Sequence, residues 1–129
     1  MDEDRLAKGL SIRSEVLGAD YVARSMAQAD DLSRPMQELS SIYCWGEIWA
    51  RDGLSRRDRS LLNIGMISAL NRPHELKLHV KAALRNGLTR EEIREALLQV
   101  AVYCGIPAGI DSTRIAQDAF AEYEAELSE

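Results

Sequence analysis

The sequence predicts an all-α protein, a compact helical bundle of about six to seven helices. Three observations carry this expectation. Apolar residues recur at three- and four-residue spacing along most of the 129 residues, with no sustained two-residue alternation. Helix start and stop residues punctuate those stretches at regular places. The apolar content of 46% falls on Leu, Ala, Ile and Val, while aromatics make up only 5%.

Taken in order, residues 4–29 read as a weakly amphipathic helical pair broken near Gly18, a peripheral arm over residues 1–30. Ser33 is placed to cap the next helix, with Pro35 in its first turn and Met36, Leu39, Ile42 and Tyr43 following. That helix ends in CWGEIW, and Arg51-Asp52-Gly53-Leu54 makes a turn. Ser55 and Asp58 open the stretch SLLNIGMISAL, apolar on nearly all sides and therefore expected to be central and buried. Asn71-Arg72-Pro73 breaks it. Leu76, His79, Val80, Ala83 and Leu84 then share one face of a helix that Gly87 stops. Thr89-Arg90-Glu91-Glu92 has the capping-box pattern, and Ile93, Ala96, Leu97, Val100 and Ala101 point inward behind it. Cys104-Gly105-Ile106-Pro107 interrupts the pattern, and a final helix runs from about Ala108 to Leu127. A chain of this length is expected to form one domain, 1–129.

Bulk properties narrow the function classes. A formal charge of −5 argues against nucleic acid as a partner, which demands a concentrated basic face. No apolar run spans a bilayer, and the charged opening MDEDRLAKGL does not resemble a signal peptide, so no membrane partner and a cytoplasmic location are expected. Cys44 and Cys104 lack the spacing of a metal knuckle, and phosphate-loop, zinc and nucleophile-elbow patterns are missing, so no metal is expected.

Residues 75–107 hold most of the ionisable groups that lie beside apolar stripes. His79 sits on such a stripe with Glu75 four residues earlier, close enough to fix its tautomer and raise its proton affinity. A core histidine satisfied by the same carboxylate is the alternative. Glu92 is either a catalytic carboxyl or simply the reciprocal half of the cap, which helps a helix by roughly 1 kcal/mol. Cys104 closes a helix that looks buried, where most cysteines are inert packing; a lowered thiol pKa would make it reactive. Arg51, Arg56, Arg57 and Arg59 crowd one helix start against its dipole, as expected either of an anion site or of ion pairing with acidic helices. Trp45 and Trp49 either wall a pocket or belong to a core or interface.

The run YCWGEIWARDGLSRRDRSLLNIGMISALNRPHELKLHVKAALRNGLTREEIREALLQVAVYCGIPAG closely resembles the 4-carboxymuconolactone decarboxylases of protocatechuate breakdown. The resemblance covers about residues 10–125 and rests on the order of WGEIW, RSLL, ALNR, LHV, NG and YCG-P-A. It implies an alkylhydroperoxidase D-like helical fold, a ring-like homo-oligomer (a trimer or hexamer) and no organic or metal cofactor. It also implies a small lactone carboxylic acid as substrate, losing CO₂ to give an enol-lactone. On that reading His79, Glu92 and Cys104 are the catalytic candidates. Arg59 and Arg51 are carboxylate anchors, and Trp45 and Glu75 complete the substrate contacts.

The redox branch of that superfamily is a more distant match. Glu92 and Cys104 occupy its glutamate and first-cysteine positions, but Pro107 replaces the second cysteine and Asp111 stands where its histidine falls. Decarboxylases of the close family also often carry histidine at the Asp111 position. Two rival functions accompany the decarboxylase reading: a thiol-dependent peroxidase or reductase using Cys44 and Cys104, and a non-catalytic helical oligomer.

Overall fold

A computed structural model describes residues 2–129. Seven α-helices and one π-helical segment account for nearly all of them, and the described residues include no strand. The all-α expectation therefore holds. None of these helices is long and apolar enough to cross a membrane. The chain divides into two compact units, one ending at Arg56 and the other spanning Arg57–Glu129.

The first unit contains α1 (Asp2–Leu17), α2 (Ala19–Ala27), α3 (Arg34–Leu39) and the π-helical segment Ser40–Ile48. The break expected near Gly18 is present, with Gly18 at φ 99°. Ser33 occupies the N-cap position of α3, but its hydroxyl makes no cap bond. Asp30 does the local work instead. Its Oδ1 accepts from the backbone N–H groups of Leu32 and Ser33, while Ser33 Oγ accepts from the Asp30 N–H. The turn before α3 thus consumes the serine.

Sequence periodicity anticipated an ordinary helix through CWGEIW, and the wider π winding is a correction. Its cause lies in α1. A Cβ on Gly9 would fall 1.8 Å from the Ser41 carbonyl oxygen and 3.3 Å from the Gly46 nitrogen. Glycine alone permits this approach. Ser41 and Gly46 are five residues apart, and i→i+5 winding brings both against the same point of α1. The segment also stacks Trp45 on Trp49, ring centroids 4.8 Å apart, with both side chains buried.

The second unit consists of α4 (Arg56–Leu70, its first residue closing the previous unit), α5 (Pro73–Arg85), α6 (Arg90–Cys104) and α7 (Ile106–Leu127). Ile64, Leu76, Val80, Ala83, Leu88, Ile93, Leu97, Ala116 and Ala119 form its core. The expected inward faces of α5 and α6 are largely realised: Leu76, His79, Val80 and Ala83 are buried on the first, Ile93, Leu97 and Val100 on the second. Gly105 separates α6 from α7 at φ 111°, a region that side chains with a Cβ rarely adopt.

α4 departs from expectation. Only Ser60, Ile64 and Ser68 are buried on it, whereas Leu61, Leu62, Met66 and Leu70 are exposed. An apolar run has no preferred face by its pattern alone. Here the residues that turn inward include two serines, and the leucines face outward. A second exposed apolar strip follows α6 into α7 through Leu98, Val102, Ile106 and Ile110.

Candidate active site

One side of α4 organises the polar interior of the second unit. Arg57, Ser60 and Asn63 recur every three residues and wind slowly along that side. Each meets a different element. The Arg57 guanidinium donates to the Glu92 carboxylate at the start of α6. Ser60 Oγ accepts from the Asn86 amide at 2.9 Å, just beyond α5. Asn63 Nδ2 donates to His79 Nδ1 at 3.4 Å. Arg57 and Asn63 are separated by about 9 Å along the helix axis, so Glu92 and His79 are tied to one rod roughly two turns apart.

His79 is enclosed, with 7% of its surface accessible. Burial lowers its pKa from 6.5 to about 4, because an imidazolium in this setting loses its hydration. The expectation that Glu75 would raise the proton affinity of His79 is overturned. Glu75 is exposed at the first turn of α5, and the Nδ1 partner is the Asn63 amide, which carries no charge. A neutral ring whose Nδ1 accepts a hydrogen bond carries its proton on Nε2. His79 is thereby held as a neutral donor.

Glu92 fulfils the capping box. Its backbone N–H donates to Thr89 Oγ1 at 3.0 Å, and its Oε1 accepts from the Thr89 N–H at 3.0 Å. Its second oxygen takes Arg57, whose hydrogen bond holds the carboxyl below the usual glutamate range. Glu92 is therefore ionised at neutral pH. The condition under which it could serve as a proton donor, burial strong enough to keep it protonated, is not met.

The remaining candidates divide between the two units. Arg59 is half-buried on α4 with its Nε enclosed. Cys104 is exposed at the end of α6, which corrects the expectation of a buried, packed thiol. In the first unit, Arg51 is exposed and Trp45 is 3% accessible beneath Trp49. Trp45 is an interior side chain there, and the pair adds no exposed apolar surface. Arg56 pairs with Glu15 at 2.6 Å, so Arg56 and Arg57 both find carboxylates within the chain. Cys44 is half-buried in the π-helical segment, and burial pushes its thiol pKa up.

Three contributors were missed by sequence reasoning. Asn63 had a detectable signal, as the sole amide in the apolar run SLLNIGMISAL. Arg57 stood among the four crowded arginines without distinction. Asn86 entered only as part of the NG motif of the family resemblance, with no hint of a hydrogen bond to Ser60.

A helical protein with a buried, neutral imidazole and no spaced thiol pair is the class that this geometry defines. The sequence model of the carboxymuconolactone decarboxylase family matches residues 34–118, and the chain belongs to that family. It is 40% identical over 119 residues to 4-carboxymuconolactone decarboxylase of Acinetobacter baylyi, covering 92% of this chain and 89% of that one. It is 44% identical over 110 residues to nitrosuccinic acid decarboxylase npaB of Metarhizium robertsii, covering 85% and 77%. An uncharacterised 15.0 kDa protein of Paracoccus denitrificans is 38% identical over 85 residues, covering 64% and 63%. The chain is a carboxy-lyase of the carboxymuconolactone decarboxylase type.

Proposed function

We propose that this protein decarboxylates 4-carboxymuconolactone, or a closely related lactone acid, to the corresponding enol-lactone in the breakdown of aromatic compounds. The observation that carries the reading is His79, buried, neutral and oriented by Asn63. In the substrate, the bond from the ring carbon to the departing carboxylate breaks and CO₂ leaves. The electron pair passes through the adjacent double bond to the lactone carbonyl, giving a dienolate. A proton from water then adds to carbon. The substrate carries its own electron sink.

Loss of CO₂ places negative charge on the carbonyl oxygen. The Nε2–H of neutral His79 donates to that oxygen, a contribution of about 3 kcal/mol in a water-poor site. Neutrality matters because a charged imidazolium would need rehydration or a counter-ion, and a neutral donor is available across the whole physiological range. Arg59, with Arg51 as the second choice, anchors the carboxylate that stays behind. Glu92 fixes Arg57 and the start of α6.

The names of the two curated decarboxylases support a reaction class wider than one substrate. Nitrosuccinic acid also loses a carboxylate beside an electron-withdrawing group while keeping a second one. Lactone and nitro acids therefore pose the same electrostatic problem, and a neutral hydrogen-bond donor suits both. The exposed apolar strips on α4 and α6–α7 support a homo-oligomer. The raised thiol pKa of Cys44 disfavours the thiolate that a peroxidase reading needs.

The test is CO₂ release from 4-carboxymuconolactone by the purified protein, with nitrosuccinate as a second substrate and peroxide consumption measured in parallel. Release from the lactone acid supports the assignment. Release from nitrosuccinate alone moves the substrate, and peroxide turnover with titration of both thiols overturns the reading.

A further inference from the structure

The second unit holds a cavity of about 280 Å³ at the C-terminal end of α4, away from Arg57 and Arg59 at its start. Ser68, Asn71, Arg72, Pro73, Pro107 and Asp111 are among its lining residues. We propose that this cavity is a binding site for a small carboxylate, separate from the anchor assigned to Arg59.

Its walls include the starts of two helices. Arg72 is the N-cap residue and Pro73 the first residue of α5, while Pro107 and Ala108 belong to the first turn of α7. Neither helix receives a side-chain cap. The backbone N–H groups at such ends lack partners within the helix and carry the positive end of its dipole, which favours anions. Two of these ends share one small cavity.

An independent observation points the same way. Ser68 is 5% accessible, lines the cavity, and its Oγ is enclosed without a hydrogen-bond partner. Leaving a buried hydroxyl unsatisfied is costly, and native interiors rarely do so. A carboxylate oxygen in the cavity would accept from it. Arg72 donates through Nη1 to the carbonyls of Leu70 and Asn71, at 3.0 and 3.4 Å, which holds the guanidinium at the rim. Its other nitrogens remain donors for the ligand. Asn71 stands at φ 56°, so the backbone between α4 and α5 is itself bent to present Arg72 there.

Asp111 is the opposing charge. Its side chain is 68% accessible and lies 3.5 Å from Arg114, so its field is partly neutralised and partly screened by water. It should weaken carboxylate binding without abolishing it, and it favours a ligand with one carboxylate over a crowded polyanion. The cavity volume suits a ligand of a few carbon atoms.

The test uses the full chain labelled with ¹⁵N, titrated with acetate, succinate and inorganic phosphate while amide shifts are followed. Shifts centred on Ser68, Asn71, Arg72, His74, Glu75 and Ala108 are expected with the carboxylates. Ser68→Ala should weaken succinate about tenfold, the usual scale for a hydrogen bond to a charged acceptor. The same variant should leave thermal stability unchanged or higher, because it removes an orphaned hydroxyl. Asp111→Asn should tighten binding two- to threefold, by roughly the strength of one exposed charge pair. The site would be overturned by shifts centred on Arg56, Arg57 and Arg59, by an unchanged affinity in Ser68→Ala, or by weaker binding in Asp111→Asn. A preference for phosphate with no carboxylate response would do the same. None of these readouts depends on decarboxylation, so the site and the proposed reaction stand or fall separately.

Discussion

Each of the two units buries one strongly polar side chain, and the two solve the problem differently. In the first, Arg13 is 5% accessible, donates to Ser41 Oγ at 3.3 Å and reaches Met26 Sδ at 3.9 Å, with its Nε unpartnered. None of the ion pairs among the described residues includes it. In the second, His79 is buried to a similar degree and meets Asn63. Histidine escapes the penalty of burial by giving up its proton. Arginine has no such exit, because its pKa lies far above any accessible pH. Similar burial therefore leaves a neutral hydrogen-bond donor in one unit and a retained charge in the other. Chemistry follows from which residue type can discharge itself.

The largest expected effect tests the His79 half of that comparison. His79→Ala should lower kcat by about 10²–10³, the loss typical of a removed oxyanion donor, with helix content by circular dichroism nearly unchanged. Near-normal turnover would remove His79 from the mechanism. The Asn63→Leu variant sharpens the point. It frees the ring to change tautomer, and kcat should fall about tenfold while KM stays close to its original value.

Acid should reveal the same burial through stability. The folded pKa of His79 is about 4 against an ordinary 6.5. Between those values the unfolded chain takes up a proton that the folded chain refuses. The contribution is thus complete above pH 6.5 and is lost as the pH falls towards 4. The total is about 3 kcal/mol, at about 1.4 kcal/mol for each pH unit. Urea midpoints at pH 7 and pH 4.5 would measure it, and His79→Gln should flatten the difference. Equal pH slopes in the two proteins would show that the imidazole titrates normally.

Arg13 offers the opposite sign. Arg13→Met removes an uncompensated charge while keeping volume, so it should stabilise the chain by about 1–2 kcal/mol. Destabilisation instead would mean that a carboxylate from another molecule balances the guanidinium in solution. The smallest effect is local to the start of α6. Thr89→Ala should cost about 1 kcal/mol in thermal or urea unfolding, the usual value of a lost N-cap. A neutral result would mean that the Arg57–Glu92 pair alone holds that helix end.

Much of this architecture was written in short-range signals. Gly18, Gly87 and the Thr89–Glu92 box mark helix ends because backbone geometry and capping act within four residues. The inward stripe of α5, with His79 on it, follows from spacing in the same way. Such signals depend on neighbours along the chain, and the sequence contains them completely. The all-α class could be read there for that reason, whereas the family was legible through its resemblance in the ordered motifs from WGEIW to YCG-P-A.

Tertiary packing decided the rest. SLLNIGMISAL carries apolar residues on every side, so periodicity had no means of saying that Ser60 and Ser68 would turn inward and Leu62 and Leu70 outward. The π winding of Ser40–Ile48 exists because the backbone of α1 presses on it at Gly9, a contact between residues more than thirty positions apart. Asn63, a through-space neighbour on α4, faces His79 Nδ1, whereas the helical neighbour Glu75 is exposed to solvent. Burial alone sets the direction, and the pKa shift is downward rather than upward. Helix ends and faces were determined by the chain locally; burial and charge state, which control the chemistry, depend on desolvation by groups that only the folded structure brings near.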